Sequence, residues 1–215
     1  MKPIVIIGAG GLAREVAWLI EEINAVREEW ELLGYVDEDP VKHGIKLNNY
    51  KVLGGLQELN AFSNEVHLVC AIGDPTARKR VVEKVSSLGL PFANLVHPDV
   101  KMSSLVTMGQ GNIICSSNIF TVNITIGNHN IINLACTVGH DVTMNNYCTV
   151  FPGVNISGNV VLHDSVSIGT NTSIIQGISI GEGTIIGAGS VVIRDLPPHC
   201  TAVGVPAKPI KFHHK

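Results

Sequence analysis

The chain has 215 residues, of which 45% are hydrophobic and only 5% aromatic, with 22 glycines and a formal net charge of −3. This length holds two small domains or one large one, and the composition suits stacked aliphatics turned by glycines better than a conventional mixed core. The mild negative charge without a basic block argues against a nucleic-acid-binding surface, and no apolar run is long enough to span a membrane.

The N-terminal part alternates strand and helix signals. Ile4–Ile7 is a continuous apolar run that enters Gly8-Ala9-Gly10-Gly11, a pattern of buried parallel strand and tight turn that is too short for a signal-peptide core. Residues 12–29 follow as a helix, with Val16, Leu19, Ile20 and Ile23 on one face. A second strand spans 32–36 and closes at Asp37-Glu38-Asp39-Pro40. Weaker signals give a short strand at 51–53 and a short helix at 56–62. Residues 66–72 form another buried strand, ending at Gly73-Asp74-Pro75; Thr76 is placed to cap a helix running to about 88, and 92–96 is the last strand. A βαβ series of this length is half of a doubly wound nucleotide fold, so a first domain is expected over 1–95.

At Val96 the period changes. Every sixth residue from Val96 to Val192 is apolar, seventeen positions without exception. At this hydrophobic content, chance would produce such a run with a probability on the order of one in a million. Four residues after the anchor the chain is usually small or β-branched, as at Val142, Val154, Val160, Thr172 and Ser190. Such a hexapeptide repeat is the signature of a parallel β-helix whose triangular coils stack their anchors inside, here expected over 96–215. Leu196-Pro197-Pro198 should end the regular stack, leaving an extended, proline-rich tail. Flat outer faces on such a prism usually pack against copies of themselves, so a closed homo-oligomer, most simply a trimer, is expected.

Three features bear on chemistry. The loop Gly8-Ala9-Gly10-Gly11-Leu12-Ala13 opens a helix after a strand, the setting in which backbone N–H groups meet a phosphate. Asp37 ends the next strand and can meet a ribose or base edge. Gly73 and Arg78 belong to a second loop on the same carboxyl edge. A nicotinamide site and a purely structural turn are the competing readings; the domain is short for the first. Among nine histidines, His140 stands out because Asp141 follows it and Val138 anchors the coil, placing both at a corner and pointing outward. A neutral imidazole oriented by a carboxylate is a general base, although an exposed structural histidine explains the same residues. His129, His140 and His163 lack the close spacing of a zinc site. The five cysteines form an odd set with no Cys-x-x-Cys, which reads as reduced cytoplasmic thiols; a Cys148 acyl-enzyme would lack an evident base.

The whole chain resembles the NeuD/PglD family of sugar O-acyltransferases. The carrying segments are residues 6–15 with the glycine loop, Gly34-Tyr35-Val36-Asp37, Ala71-Ile72-Gly73-Asp74 with Arg78, the His140-Asp141 pair, and residues 187–197 running on to 204–208. The last string is shared widely among hexapeptide acyltransferases and speaks for acyl-CoA, not for a particular acceptor.

The resemblance implies a half-Rossmann-like domain binding a UDP- or GDP-linked sugar through Gly8, Gly10, Gly11, Leu12, Asp37, Gly73 and Arg78. It implies a left-handed β-helix binding acetyl-CoA between neighbouring prisms of a cytoplasmic homotrimer, with Gly187, Pro206, Ala207 and Lys208 among the contacts and no metal. His140 maps onto the family's base, Asp141 onto its acidic partner and Gly158 onto the backbone amide for the thioester oxygen. Thr149 departs from the bacillosamine-type members, which carry a second histidine there; a hydroxyl can hydrogen-bond but cannot share the base's duty. The implied reaction is direct N-acetylation of a 4-amino-4,6-dideoxy sugar for surface-glycan or glycoprotein synthesis. The alternatives are O-acetylation of a hydroxyl such as that of a sialic acid, or a non-catalytic scaffold that binds nucleotide sugars.

Overall fold

The computed structural model describes residues 1–213 and divides into two compact units, Met1–Pro98 and a second beginning at Asp99. The first unit contains β1 (Lys2–Ile7), α1 (Gly11–Val26), β2 (Trp30–Val36), β3 (Lys46–Leu47), β4 (Tyr50–Gly54), β5 (His67–Cys70) and α2 (Pro75–Val85). They build a sheet in the order β3-β4-β2-β1-β5, parallel except for the β3–β4 hairpin. The apolar run of β1 is continuous because this strand is central, flanked by β2 and β5, and Ile4, Val5 and Ile6 are fully buried. α1 covers the sheet with Val16, Leu19, Ile20 and Ile23, the face its periodicity marks.

Local chemistry moved some boundaries. Asp74, not Thr76, caps α2: its carboxylate accepts the Ala77 N–H at 2.7 Å, and Pro75 fills the first helical position, where no donor is needed. The segment expected as a helix at 56–62 is a 3₁₀ stretch (Leu56–Ala61), and the 51–53 strand lengthens into one arm of the β3–β4 hairpin. Near residue 92 only a single bridge, Leu68 to Phe92, extends the sheet.

The second unit is a left-handed parallel β-helix. Two- and three-residue strands recur every six residues, and each pairs in parallel with the strand 18 residues on, as in Ile119↔Thr137↔Asn155 and Ile131↔Thr149↔Ser167. Three strands therefore complete one coil. All anchors from Ile114 to Val192 are buried, whereas Met102 and Met108 in the first coil are only partly so. Each fully buried aliphatic contributes roughly 1.5–3 kcal/mol. The third residue after an anchor turns the corner in the left-handed region: Ser117, Asn123, Ala135, Asp141, Asn159 and Asn171 have φ between 56 and 64°. That region costs about 1–2 kcal/mol for most residues and least for Asn, Asp and Gly, which explains the polar corners.

The extended tail expected after the two prolines folds into a β-hairpin. Cys200–Gly204 extends the face of Ile185–Ile186 in parallel, then pairs antiparallel with Ala207–Phe212. Cys200 and Ala202 alternate into the interior, so the strand period resumes once the two prolines are passed. The imidazole of His213 lies 2.8 Å from the Thr201 hydroxyl, while His214 lies outside the described residues.

Candidate functional site

In the first unit, a cavity of about 350 Å³ opens at the carboxyl ends of β1, β2 and β5. Gly8, Gly10, Gly11, Leu12, Asp37 and Gly73 line it together. Gly8 holds φ +104°, and a Cβ there would approach the Ala71 carbonyl oxygen at 3.1 Å. Gly10 has nothing within 4 Å of the position a Cβ would take, and no side chain caps the N-terminus of α1. The start of this helix is thus open to an anion, with backbone donors and the positive end of the dipole available.

Asp37 organises the loop more than it faces the cavity. Its Oδ2 accepts the Ala9 N–H at 2.7 Å and the Lys42 ammonium at 3.1 Å, and its Oδ1 accepts the Asp39 N–H at 2.9 Å. Burial pushes this carboxyl up, but the Asp39 amide, Lys42 and the Ala9 amide outweigh it and hold the group below the usual carboxylate range. Three donors leave one lone-pair direction for a ligand. Lys42, which also lines the cavity, is the cationic group that sequence reasoning missed; a lysine six residues beyond the end of β2 carries no pattern of its own. His43, which has no partner evident in the sequence, donates through Nε2 to the Asp37 carbonyl at 2.8 Å.

Arg78 does not line the cavity. It is completely buried, and its Nη1 donates to the carbonyls of Ile72 at 2.6 Å and Gly73 at 3.1 Å. A guanidinium one turn into α2 points back under the loop, so it shapes the loop from behind.

In the second unit, His140 and Asp141 sit at a corner, with side chains 57% and 45% exposed. The Nδ1–H of His140 donates to Asp141 Oδ2 at 2.7 Å, which fixes the tautomer and leaves the Nε2 lone pair available. The Asp141 carboxyl is held below its ordinary range, first by this bond and then by the Asn123 amide. The imidazole lies over Gly158: a Cβ there would fall 2.5 Å from both Cε1 and Nε2. Close approach, not a positive φ, is what demands glycine at 158. Among the described residues the buried Gly158 N–H has no acceptor. An oriented base beside an open backbone donor is a geometry suited to acyl transfer.

The other expected contacts lie apart from this corner. Thr149 is only 3% exposed and belongs to a different face of the prism from the strand that precedes His140, so the chain does not bring the two together. Gly187 sits against the hairpin, where a Cβ would meet Val203 Cγ1 at 2.6 Å, and Pro206, Ala207 and Lys208 form the hairpin's turn and return strand. Cys148 is fully buried with its thiol 3.2 Å from the His163 carbonyl, which denies an acyl-enzyme route an accessible nucleophile. No three His, Cys, Asp or Glu side chains are grouped to hold a metal, and no helix is long and apolar enough to cross a membrane, among the described residues.

An α/β half-domain with an open helix terminus, followed by a β-helix with a His–Asp corner, defines a hexapeptide-repeat acyltransferase. Residues 3–85 match the PglD N-terminal domain, and residues 159–194 match the bacterial transferase hexapeptide of six repeats. A histidine variant of perosamine N-acetyltransferase from Caulobacter crescentus, solved with CoA and GDP-perosamine, is 31% identical with a TM-score of 0.89, covering 97% of each chain. The acetyltransferase domain of PglB from Neisseria gonorrhoeae, solved with acetyl coenzyme A, is 30% identical with a TM-score of 0.88, covering 97% of this chain and 99% of that one. WeeI from Acinetobacter baumannii is 27% identical with a TM-score of 0.87, covering 96% and 99%. Comparison with curated proteins finds no match. The chain belongs to the PglD/NeuD family of sugar acetyltransferases.

Proposed function

We propose that this protein transfers the acetyl group of acetyl-CoA to the amine of a nucleotide-linked 4-amino-4,6-dideoxy sugar. The observation that carries the reading is the His140–Asp141 pair, bonded at 2.7 Å with the imidazole over Gly158. The likeness to an enzyme solved with CoA and GDP-perosamine makes a GDP-linked amino sugar the first acceptor to try and a UDP-linked one the next.

In the proposed reaction the sugar amine attacks the thioester carbon while His140 Nε2 takes the proton from the nitrogen. Asp141 stabilises the imidazolium that forms. The Gly158 N–H donates to the oxyanion of the tetrahedral intermediate, a contribution of roughly 3 kcal/mol for one well-placed donor. The C–S bond then breaks, and the proton held by His140 passes to the departing CoA sulfur. The nucleotide is held in the cavity of the first unit, its phosphates at the open N-terminus of α1 and beside Lys42. The glycine of the 187 turn and the 206–208 hairpin contribute to holding acetyl-CoA.

The working form in this proposal is a cytoplasmic homotrimer serving surface-polysaccharide or glycoprotein synthesis. Ile119, Leu134, Phe151, Ile175 and Ile185 stand 39–43% exposed on the prism and support self-association. Sedimentation equilibrium should return three chains, and a monomer at working concentration would remove that part.

The test is mass spectrometry of reactions containing acetyl-CoA and a panel of GDP- and UDP-linked amino sugars. A product heavier by one acetyl group, absent with His140→Ala, is the expected result. Product from the wild type and the variant alike would reject His140 as the base. Failure on every amino sugar, with acetylation of free sialic acid, would replace the amine acceptor by a hydroxyl.

A further inference from the structure

The corner that carries His140 contains another polar side chain, one coil away. The flanking strands pair Ile119 with Thr137 and Thr125 with Thr143, and this 18-residue offset stacks residue 123 on residue 141. Both turn the corner in the left-handed region, with φ of 57° and 60°. Asn123 Nδ2 donates to Asp141 Oδ1 at 3.2 Å, while Asp141 Oδ2 accepts from His140 at 2.7 Å. The two oxygens of one carboxylate therefore have separate partners, one on each neighbouring residue of the corner.

This matters because Asp141 is exposed and packing does not fix its rotamer. An exposed ion pair between mobile side chains gains little and holds its geometry poorly. A second donor on the opposite oxygen restricts rotation about the Cβ–Cγ bond and leaves Oδ2 directed at the imidazole. We propose that Asn123 is a positioning residue: it orients Asp141, and through Asp141 it fixes the tautomer and direction of His140. The proposal rests on the reading of His140 as the base. In it, Asn123 acts only through Asp141.

Glycine is the informative replacement because it accepts the left-handed corner without strain and removes only the side chain. Asn123→Gly, Asp141→Gly and the double variant are compared by initial rates, with His140→Ala as the reference and Ser165→Gly as the same backbone change at another corner. Asn123→Gly should lower kcat about tenfold, the effect of losing one hydrogen bond to a charged group, with KM for both substrates unchanged. Asp141→Gly should lower kcat further, and the double variant should be no worse than Asp141→Gly alone, as expected when one residue acts only through the other. Wild-type kcat for Asn123→Gly, independent multiplication of the two losses, or an equal loss in Ser165→Gly would each overturn the proposal. Wild-type turnover in His140→Ala would instead reject the base assignment on which it rests.

Discussion

Two corners of the same β-helix use one backbone for opposite ends. In the corner of Gln110, Asn128, Asn146 and Asp164, the second residue after each anchor reaches back one coil. Asn128 Oδ1 accepts the Gln110 N–H, Asn146 Oδ1 the Asn128 N–H and Asp164 Oδ1 the Asn146 N–H, each at 2.9 Å. In the corner of Val122, His140, Gly158 and Gln176, among the described residues, no side chain at the equivalent positions accepts such an N–H. His140 turns its Nδ1 to Asp141, and Gly158 has no side chain. A corner that satisfies its own amides is inert, and one without that device leaves a backbone donor unpaired beside an exposed imidazole. The candidate site is thus a corner without the amide ladder that closes the Gln110–Asp164 corner.

The comparison breaks most sharply at His140. His140→Ala should lower kcat by about a thousandfold, within the range of a general base, while the melting temperature stays at the wild-type value. An equal loss of stability would mean that the open corner is structural after all. Gly158→Ala comes next. Its methyl carbon would sit 2.5 Å from the imidazole and push it aside, and a displacement of about 1 Å can cost roughly a hundredfold in rate. If Gly158→Ala turns over normally, the ring does not work from the observed position.

A smaller effect is expected in the nucleotide cavity. Lys42→Ala should raise KM for the nucleotide sugar about tenfold and leave KM for acetyl-CoA unchanged, as for the loss of one charged hydrogen bond. A change confined to acetyl-CoA would remove Lys42 from the nucleotide site. Asn146→Ala inverts the His140 result. Losing its ladder bonds should cost about 1–2 kcal/mol, seen as a lower melting temperature, with kcat unaltered. Lost turnover without lost stability would erase the distinction between the two corners.

Legibility in the sequence followed the range of the interactions. The β-helix could be read directly, because one anchor every six residues is a one-dimensional pattern that stacking turns into a core. β1, α1 and the open glycine loop were legible for the same reason: the signals are contiguous. The capping of α2 by Asp74 was missed because Thr76 is equally good chemistry two residues later, and only Pro75 at the first helical position decides between them. Arg78 shows the limit at the site. Its spacing from Gly73 places it near the loop, but spacing does not reveal that the guanidinium points beneath it. Thr149 lies nine residues past His140, on another face of the prism. Asn123 was within reach, since 18-residue arithmetic from Asp141 lands on it.

The smallest effect separates Asp37 as a brace from Asp37 as a ligand. Its folded-state carboxyl lies below its ordinary value near pH 4, so the ionised form is the one favoured by folding. Such a group contributes stability above its unfolded value, and the contribution is lost as the pH falls through the folded one. Asp37→Asn keeps the shape but removes the charge that Lys42 and the two amides stabilise. The melting temperature of Asp37→Asn should therefore fall below that of the wild type at neutral pH, and the gap should close as the pH drops below about 4. A gap that stays constant through that range would show that the ionised carboxylate does not hold the loop. The remaining lone pair of Asp37 would then be the feature to test against a ribose hydroxyl.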